Sequence, residues 1–310
     1  MAKYLVTGVA GFIGSMFAKF LINSGHQVVG IDNLSTGFLD AVPEGVEFFE
    51  AGVHDEVFIK SLENRTFDGI VHIAGQSGGE MSYEDPVYDL QSNAQSTLLL
   101  LNLARKINCR RVVFASTVSV YGDLAEPELI SEESLTFPNS FYGVGKLASE
   151  NYLRIYAEQF GLETVALRLF NTYGPGQNLK NFKQGMASIY LAQALNDRHI
   201  HVKGSQDRFR DLIFIEDVVN AFNISLTSPL QGYNFYNVST GKKTAVKDLV
   251  DMIVSSLPFA VTVEYSGSTP GDVFGYTGSS NKLTNDTGWK VNTGLGVGVQ
   301  KMIQWALKKP

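Results

Sequence analysis

Cysteine is almost absent. The single Cys109 among 310 residues excludes a disulfide framework and a cysteine-rich zinc site. No run of about 18 apolar residues occurs, so nothing reads as a membrane span. Positive charge is not in excess either. Lys and Arg total 25 against 31 Asp and Glu, giving a formal charge of −6 and a pI near 5.4. No basic stripe is left to attract nucleic acid. Met1 leads straight into the apolar run Tyr4–Val6, without a signal peptide's charged start and long apolar core. These absences point to a soluble, cytoplasmic protein. What is present fits a globular enzyme: 44% hydrophobic and 18% charged residues. The thirty glycines exceed the usual share of roughly 7%, and several cluster where backbone must approach a ligand.

Through the first half, β-rich runs alternate with segments of helical spacing. Lys3–Thr7, Gln27–Asp32, Val46–Ala51, Gly69–Ala74, Arg111–Thr117 and Thr164–Asn171 read as strands. Ile13–Asn23, Glu56–Glu63, Val87–Ile107 and Lys146–Phe160 read as helices. Gly25 and Gly161 stand just past two of these, where a helix end favours a left-handed residue. The alternation predicts an α/β protein with a doubly wound parallel sheet of the Rossmann kind, its ligands at the carboxyl ends of the strands. The second half is less regular: helix Asn181–Asp197, strands Ile200–Val202 and Asp211–Ile215, helix Glu216–Leu226, strand Tyr233–Val238, and helices Ala245–Leu257 and Val297–Lys308. Residues 1–171 are expected to form the cofactor domain, with 206–240 folding back onto it. Residues 172–205 and 241–310 are expected to form a smaller mixed α/β lobe.

The sharpest local signal is Thr7-Gly8-Val9-Ala10-Gly11-Phe12-Ile13-Gly14, directly after a strand and opening a helix. Its three glycines permit a tight turn, bring backbone N–H groups to a pyrophosphate, and let helix pack on sheet. The helix N-terminus adds partial positive charge. The spacing is GxxGxxG, not GxGxxG, so a purely structural glycine turn is the competing reading. Asp32 ends the second strand 18 residues after Gly14, where a carboxylate can accept both hydroxyls of an adenosine ribose. It would repel a 2′-phosphate, and no arginine follows in Asn33-Leu34-Ser35-Thr36. The cofactor reads as NAD, not NADP.

Tyr142 and Lys146 lie four apart, on one face of a helix start. At an effective dielectric near 20, a charge about 5 Å away stabilises a phenolate by roughly 3 kcal/mol, lowering its pKa by about two units. Such a tyrosine can serve as a general base.

These residues keep company. Thr7–Gly14, Asp32, His72-Ile73-Ala74-Gly75, Ser116–Gly122, Tyr142–Lys146 and Leu167–Gly176 occur in order. Together they resemble the extended short-chain dehydrogenase/reductase family, in particular its nucleotide-sugar epimerases and dehydratases. The resemblance implies a catalytic set of Thr117, Tyr142 and Lys146, with Lys146 also holding the nicotinamide ribose. It implies cofactor contacts at Gly8, Gly11, Phe12, Ile13, Gly14, Asp32, Asn33, Val53, Ala74, Gly75 and Asn93, and substrate contacts at Thr117, Asn171, Arg210, Asp272 and Tyr276. It further implies a nucleotide-diphosphate sugar as substrate, and a homodimer through a four-helix bundle built from the helices near 87–107 and 146–160.

The chain also departs from the family's patterns. Dehydrating members carry Asp-Glu after the catalytic threonine, whereas this chain has Val118 and Ser119. Thr269 replaces an arginine that clamps the diphosphate, leaving Lys180, Lys183 or Arg208 as replacements. Ser77 stands where galactose-type epimerases often have lysine, and Gly52 replaces an adenine-side aspartate. Tyr276 falls near a position whose bulk disfavours an N-acetyl group. The expected activity is NAD-dependent C4 epimerisation of a nucleotide-diphosphate hexose of the UDP-glucose/UDP-galactose type, through a transient 4-keto sugar. The alternatives are a reductase, 2-epimerase or dehydratase on a nucleotide sugar, or a non-catalytic NAD-binding protein. No metal site is expected: His199 and His201 alternate on a short strand without a third ligand, and His72 reads as packed.

Overall fold

Lys3–Thr7 forms strand β1, and every residue after Lys3 is buried. A run with no exposed face belongs to a strand covered by helices on both sides. The computed structural model describes residues 1–123, 129–267 and 274–308. Helix α1 (Phe12–Asn23) leads to β2 (Gln27–Asp32), likewise buried after Gln27. Then follow β3 (Val46–Glu50), α2 (Glu56–Ser61), β4 (Gly69–His72) and α3 (Gly79–Glu84). Helix α4 (Pro86–Leu90) runs through a π-helical turn at Gln91–Gln95 into α5 (Ser96–Lys106). Strands β5 (Arg111–Thr117) and β6 (Leu129–Ile130), helix α6 (Phe141–Phe160) and strand β7 (Glu163–Leu169) complete the first half.

The second half opens with β8 (Asn171–Tyr173), α7 (Met186–Asp197) and β9 (His199–Lys203). It continues with β10 (Phe209–Arg210), β11 (Leu212–Phe214), α8 (Ile215–Thr227) and β12 (Tyr233–Val238). Strand β13 (Thr244–Ala245), α9 (Val246–Ser256), β14 (Thr262–Ser266), β15 (Thr277–Gly278), α10 (Asn281–Thr287) and α11 (Leu295–Leu307) follow.

Seven strands form one sheet in the order β3-β2-β1-β4-β5-β7-β12, every pairing parallel. Helices α1 and α8 pack together on one face, where the Phe17 and Phe222 rings lie 5.6 Å apart, both out of water. Helices α2, α5 and α6 cover the other face around Leu100, Leu101 and Leu153. Each such buried side chain contributes about 1.5–3 kcal/mol, which fixes the sheet between its two layers. This is the doubly wound Rossmann architecture that the alternation predicted. Outside this sheet lie the two-stranded pairs β9–β14 and β10–β13. From β1 the chain moves outward to β2 and β3, then reverses to β4, so a crevice opens at the strand ends between β1 and β4.

Several boundaries differ from the sequence reading, each for a local reason. Helix α6 starts at Phe141, not Lys146, because Ser140 caps it, its Oγ accepting the Gly143 N–H at 3.1 Å. The low helix propensity of Gly143 and Gly145 hides that first turn in the sequence. Helix α7 starts at Met186, not Asn181. The Asn178 and Asn181 side chains accept the N–H of Lys180 and Lys183, each at 2.9 Å, which holds the segment in turns. The 164–171 run breaks at Phe170, and Asn171 pairs instead with Leu212 of β11. Strand β14, mostly exposed and without an apolar face to signal it, pairs with β9.

Candidate active site

The crevice is a cavity of about 440 Å³, a size suited to a small ligand or cofactor. The glycine loop forms one wall. Gly8 takes φ +74°, and a Cβ on it would lie 2.8 Å from the Ala74 nitrogen. A Cβ on Gly14 would overlap the Gly8 carbonyl oxygen, so this crossing of loop and helix closes only with glycine. No side chain caps the N-terminus of α1, where Gly11 is the N-cap, and Phe12, Ile13 and Gly14 of its first turn line the cavity. Uncapped N–H groups at the start of a 12-residue helix suit a pyrophosphate. Asp32 lines the same cavity, its carboxylate accepting the Ala10 N–H at 3.0 Å and the Leu34 N–H at 2.8 Å. These residues fit a dinucleotide.

Most of the predicted site residues meet in this cavity. Gly8, Gly11, Asp32, Asn33, Val53, Ala74, Gly75, Thr117, Tyr142, Lys146, Asn171 and Tyr276 line it together with Phe12, Ile13 and Gly14. Asn93 stands behind the wall, fully buried, and Arg210 lies outside the lining. Asp272 and Thr269 lie outside the described residues.

The strand–helix geometry explains how the expected catalytic set comes together. Thr117 is the last residue of β5, and Tyr142 and Lys146 occupy the first turns of α6, which packs against that strand. All three are buried. The Lys146 ammonium donates to the Ala115 carbonyl at 3.0 Å and sits 5.9 Å from the centre of the Tyr142 ring. Thr117 hydrogen-bonds Tyr142, donates to Ser119 Oγ at 3.2 Å and accepts the Ser119 N–H at 3.1 Å. One expectation is corrected here. Spacing predicts a phenol lowered by its lysine, whereas burial pushes Tyr142 up to about 12, the Thr117 hydrogen bond opposing and the negative Asp89 adding to the rise. Burial likewise pulls Lys146 down to about 8, with Asp89 opposing.

The cavity lining is also rich in amides. Asn171, Gln177, Asn178, Asn181 and Gln184 line it, and Tyr276 stands edge-on to Phe170 at 6.1 Å. Arg210 donates to the Phe209 and Phe274 carbonyls at 2.7 and 3.4 Å, and burial lowers its pKa. Asp211 accepts the Thr240, Gly241 and Gly278 N–H groups, and Asp217 those of Asn292 and Thr293. Lys180, Lys183 and Arg208 lie outside the lining, with Lys183 paired to Glu84 at 2.9 Å.

Two features escape the sequence reading. Gln184 Nε2 donates to the Ser77 carbonyl at 2.9 Å, bridging the loop after β4 to the segment before α7 across the cavity, and no local pattern announces it. Asp89, buried beside Asn93, is signalled only by standing four residues before it on a helix. His72 is packed, with Nδ1 2.8 Å from Thr7 Oγ1 and Nε2 3.2 Å from Ser96 Oγ. Burial and the Lys146 charge hold its pKa well below the usual range.

Residues 4–239 match the model of the NAD dependent epimerase/dehydratase family. A putative UDP-glucose 4-epimerase of Methanocaldococcus jannaschii is 31% identical over 304 residues, covering 97% of each chain. Among solved structures, UDP-glucose 4-epimerase from Thermotoga maritima with UDP-glucose superposes with a TM-score of 0.95 at 28% identity. The Thermus thermophilus UDP-glucose 4-epimerase complexed with NAD gives 0.90 at 31% identity, and both cover 99% of each chain. The chain belongs to the NAD-dependent epimerase/dehydratase family, and its cofactor is NAD.

Proposed function

From that membership and this site, we propose that the chain catalyses C4 epimerisation of a nucleotide-diphosphate hexose of the UDP-glucose/UDP-galactose type, through a transient 4-keto sugar. One observation carries the reading. Thr117, Tyr142 and Lys146 converge on the cavity at the sheet's switch point, while Val118 and Ser119 line the positions where a dehydratase needs an acid and a base. The UDP-glucose 4-epimerases it resembles support the same reading.

NAD, when bound, supplies the reversible two-electron acceptor and, in its oxidised form, a positive charge beside the phenol. Tyr142 takes the proton of the sugar 4-hydroxyl and returns it after the ring has turned. Thr117 steers that hydroxyl, and Lys146 steadies the phenolate. Gly8, Gly11, Phe12, Ile13, Gly14, Asp32, Asn33, Val53, Ala74 and Gly75 hold the dinucleotide, with Asn93 ordering the wall behind it. Asn171 and Arg210 are assigned to the nucleotide diphosphate and Asp272 to the nucleotide ribose, and Tyr276 narrows the sugar pocket towards a non-acetylated hexose. We assign 1–171 with 206–240 to the cofactor half, and 172–205 with 241–310 to the sugar-nucleotide half.

A homodimer is proposed through α4, α5 and α6. Leu100, Leu101 and Leu103 pack in the core of the single chain. The exposed Val87, Leu90, Phe141, Val144, Ile155 and Phe160 are therefore apolar groups left for a bundle with a second copy.

The test is an NMR assay of UDP-, GDP-, CDP- and dTDP-hexoses with the protein and no added reductant. Conversion of one sugar to its C4 partner, stopping at equilibrium and abolished by Tyr142→Phe, is expected. A C2 epimer, a reduced product or no change across the panel overturns the reading.

A further inference from the structure

Asp89 takes no part in the chemistry assigned above, yet the residue is 1% exposed where the α4–α5 rod meets α6. Its neighbours show what it holds. Both hydrogens of the Asn93 amide are committed, Nδ2 donating to the Gln76 carbonyl at 3.0 Å and to Asp89 Oδ1 at 3.1 Å. Turning the amide over would set its oxygen against two acceptors, so Oδ1 is fixed facing the other way. Among the described residues, nothing donates to that buried oxygen. It abuts Gly75, where a Cβ would overlap it and stand 3.3 Å from Lys146 Nζ. A buried acceptor left without a donor beside a cavity wall is a built feature, because leaving it unmet is unfavourable by about 1–3 kcal/mol. The second Asp89 oxygen faces Gly145, the residue before Lys146, where a Cβ would lie 3.4 Å from it. The π turn makes this arrangement possible by burying Ser92, Asn93 and Ala94 in succession.

We propose that Asp89 is a positioning residue of this site. Its carboxylate fixes the Asn93 amide so that Oδ1 presents an acceptor at the Gly75–Lys146 corner, and it supplies the buried negative charge that faces the Lys146 ammonium. The charged and titratable groups around it are Lys146 and Tyr142 from α6, with His72 of β4 facing Lys146 in turn. On its own turn, the Asp85 carboxylate is engaged by the Tyr88 N–H at 2.9 Å. Burial pushes Asp89 up to about 6, while Lys146 and the Asn93 hydrogen bond pull it down. At neutral pH the carboxylate is ionised and favours the charged form of Lys146.

The kinetic arm of the test rests on the epimerase reading; the spectroscopic arm does not. In isotopically labelled full-length protein saturated with NAD, the Asn93 side-chain amide signals are expected to move with a midpoint of about 6 as Asp89 protonates. The Lys146 Cε signal in Asp89→Asn is expected to titrate about one pH unit lower than in the parent. With sugar nucleotide, Asp89→Asn is expected to lower kcat on the order of tenfold, leave KM nearly unchanged and shift the pH profile of kcat. Asn93 signals that ignore pH in the parent, or a Lys146 titration unmoved by Asp89→Asn, overturn the proposal. Should Asp89→Asn fail to fold, the parent's Asn93 titration decides alone. Should the parent convert no sugar nucleotide, the epimerase reading falls and the spectroscopic arm still decides this one.

Discussion

Asp32 carries two loads, and removing its carboxylate separates them. The Ala10 N–H that it accepts is buried, whereas Leu34 is half-buried and regains water more readily. A hydrogen bond to a charged acceptor is worth about 1.5–3 kcal/mol, so Asp32→Ala is expected to destabilise the folded chain by about 2–4 kcal/mol. Unfolding entropy of about 2.1 cal/mol/K per residue gives roughly 0.65 kcal/mol/K for a chain of this length, and hence a fall in Tm of about 3–6 °C. Asp32→Asn keeps one acceptor oxygen and should lose less than half of that. Calorimetry without added nucleotide measures this load. The second load is the ribose contact proposed for it: losing a charged acceptor for its hydroxyls should raise the Kd for NAD on the order of a hundredfold, read by titration. An Asp32→Ala protein that melts within about a degree of the parent refutes the claim that this carboxylate shapes the loop.

Gly14→Ala places a methyl on the Gly8 carbonyl, whose carbon would stand at 2.6 Å from it. Overpacking of this kind is unfavourable by about 1–3 kcal/mol, and the purified variant is expected to lose bound NAD more completely than it loses melting temperature. Gly296→Ala, where a Cβ meets open space, is the matched control. Cys109 is buried and its thiol is pushed up to about 12 by that burial, so iodoacetamide should leave it unmodified near pH 8 and label it only in denaturant. Rapid labelling of the native protein refutes that placement.

The parts of the fold legible in the sequence were those set by unbroken patterning. Strands β1, β2 and β5 are buried along almost their whole length, so their apolar runs announce both a parallel sheet and its helical cover. The GxxGxxG loop and Asp32 are legible because each residue type answers a local geometric demand. The π turn is not legible: a reading of period 3.6 takes 87–107 as one helix, since a single wider turn leaves the apolar positions close to that period. Nor is Arg210's place outside the cavity lining, because a two-residue strand in an irregular lobe carries no periodicity from which to aim its side chain.

Tyr142 and Lys146 show why spacing alone gives the wrong sign for a titration. A charge 5.9 Å from the ring is worth roughly 3 kcal/mol at an effective dielectric near 20, about two pKa units in favour of the phenolate. Burial nevertheless pushes Tyr142 up to about 12, with the Thr117 hydrogen bond opposing and the Asp89 charge adding to the rise. Burial therefore outweighs the lysine, leaving the phenol above its ordinary value and a poor base at neutral pH. The remaining downward pull has to come from a second positive charge brought into the cavity. On an open helix surface water would screen the lysine, and a phenol there would stay near its ordinary value. On the proposed reading, Tyr142, enclosed between α6 and β5, would gain base strength when the site fills, so the burial that excludes water would tie that strength to occupancy.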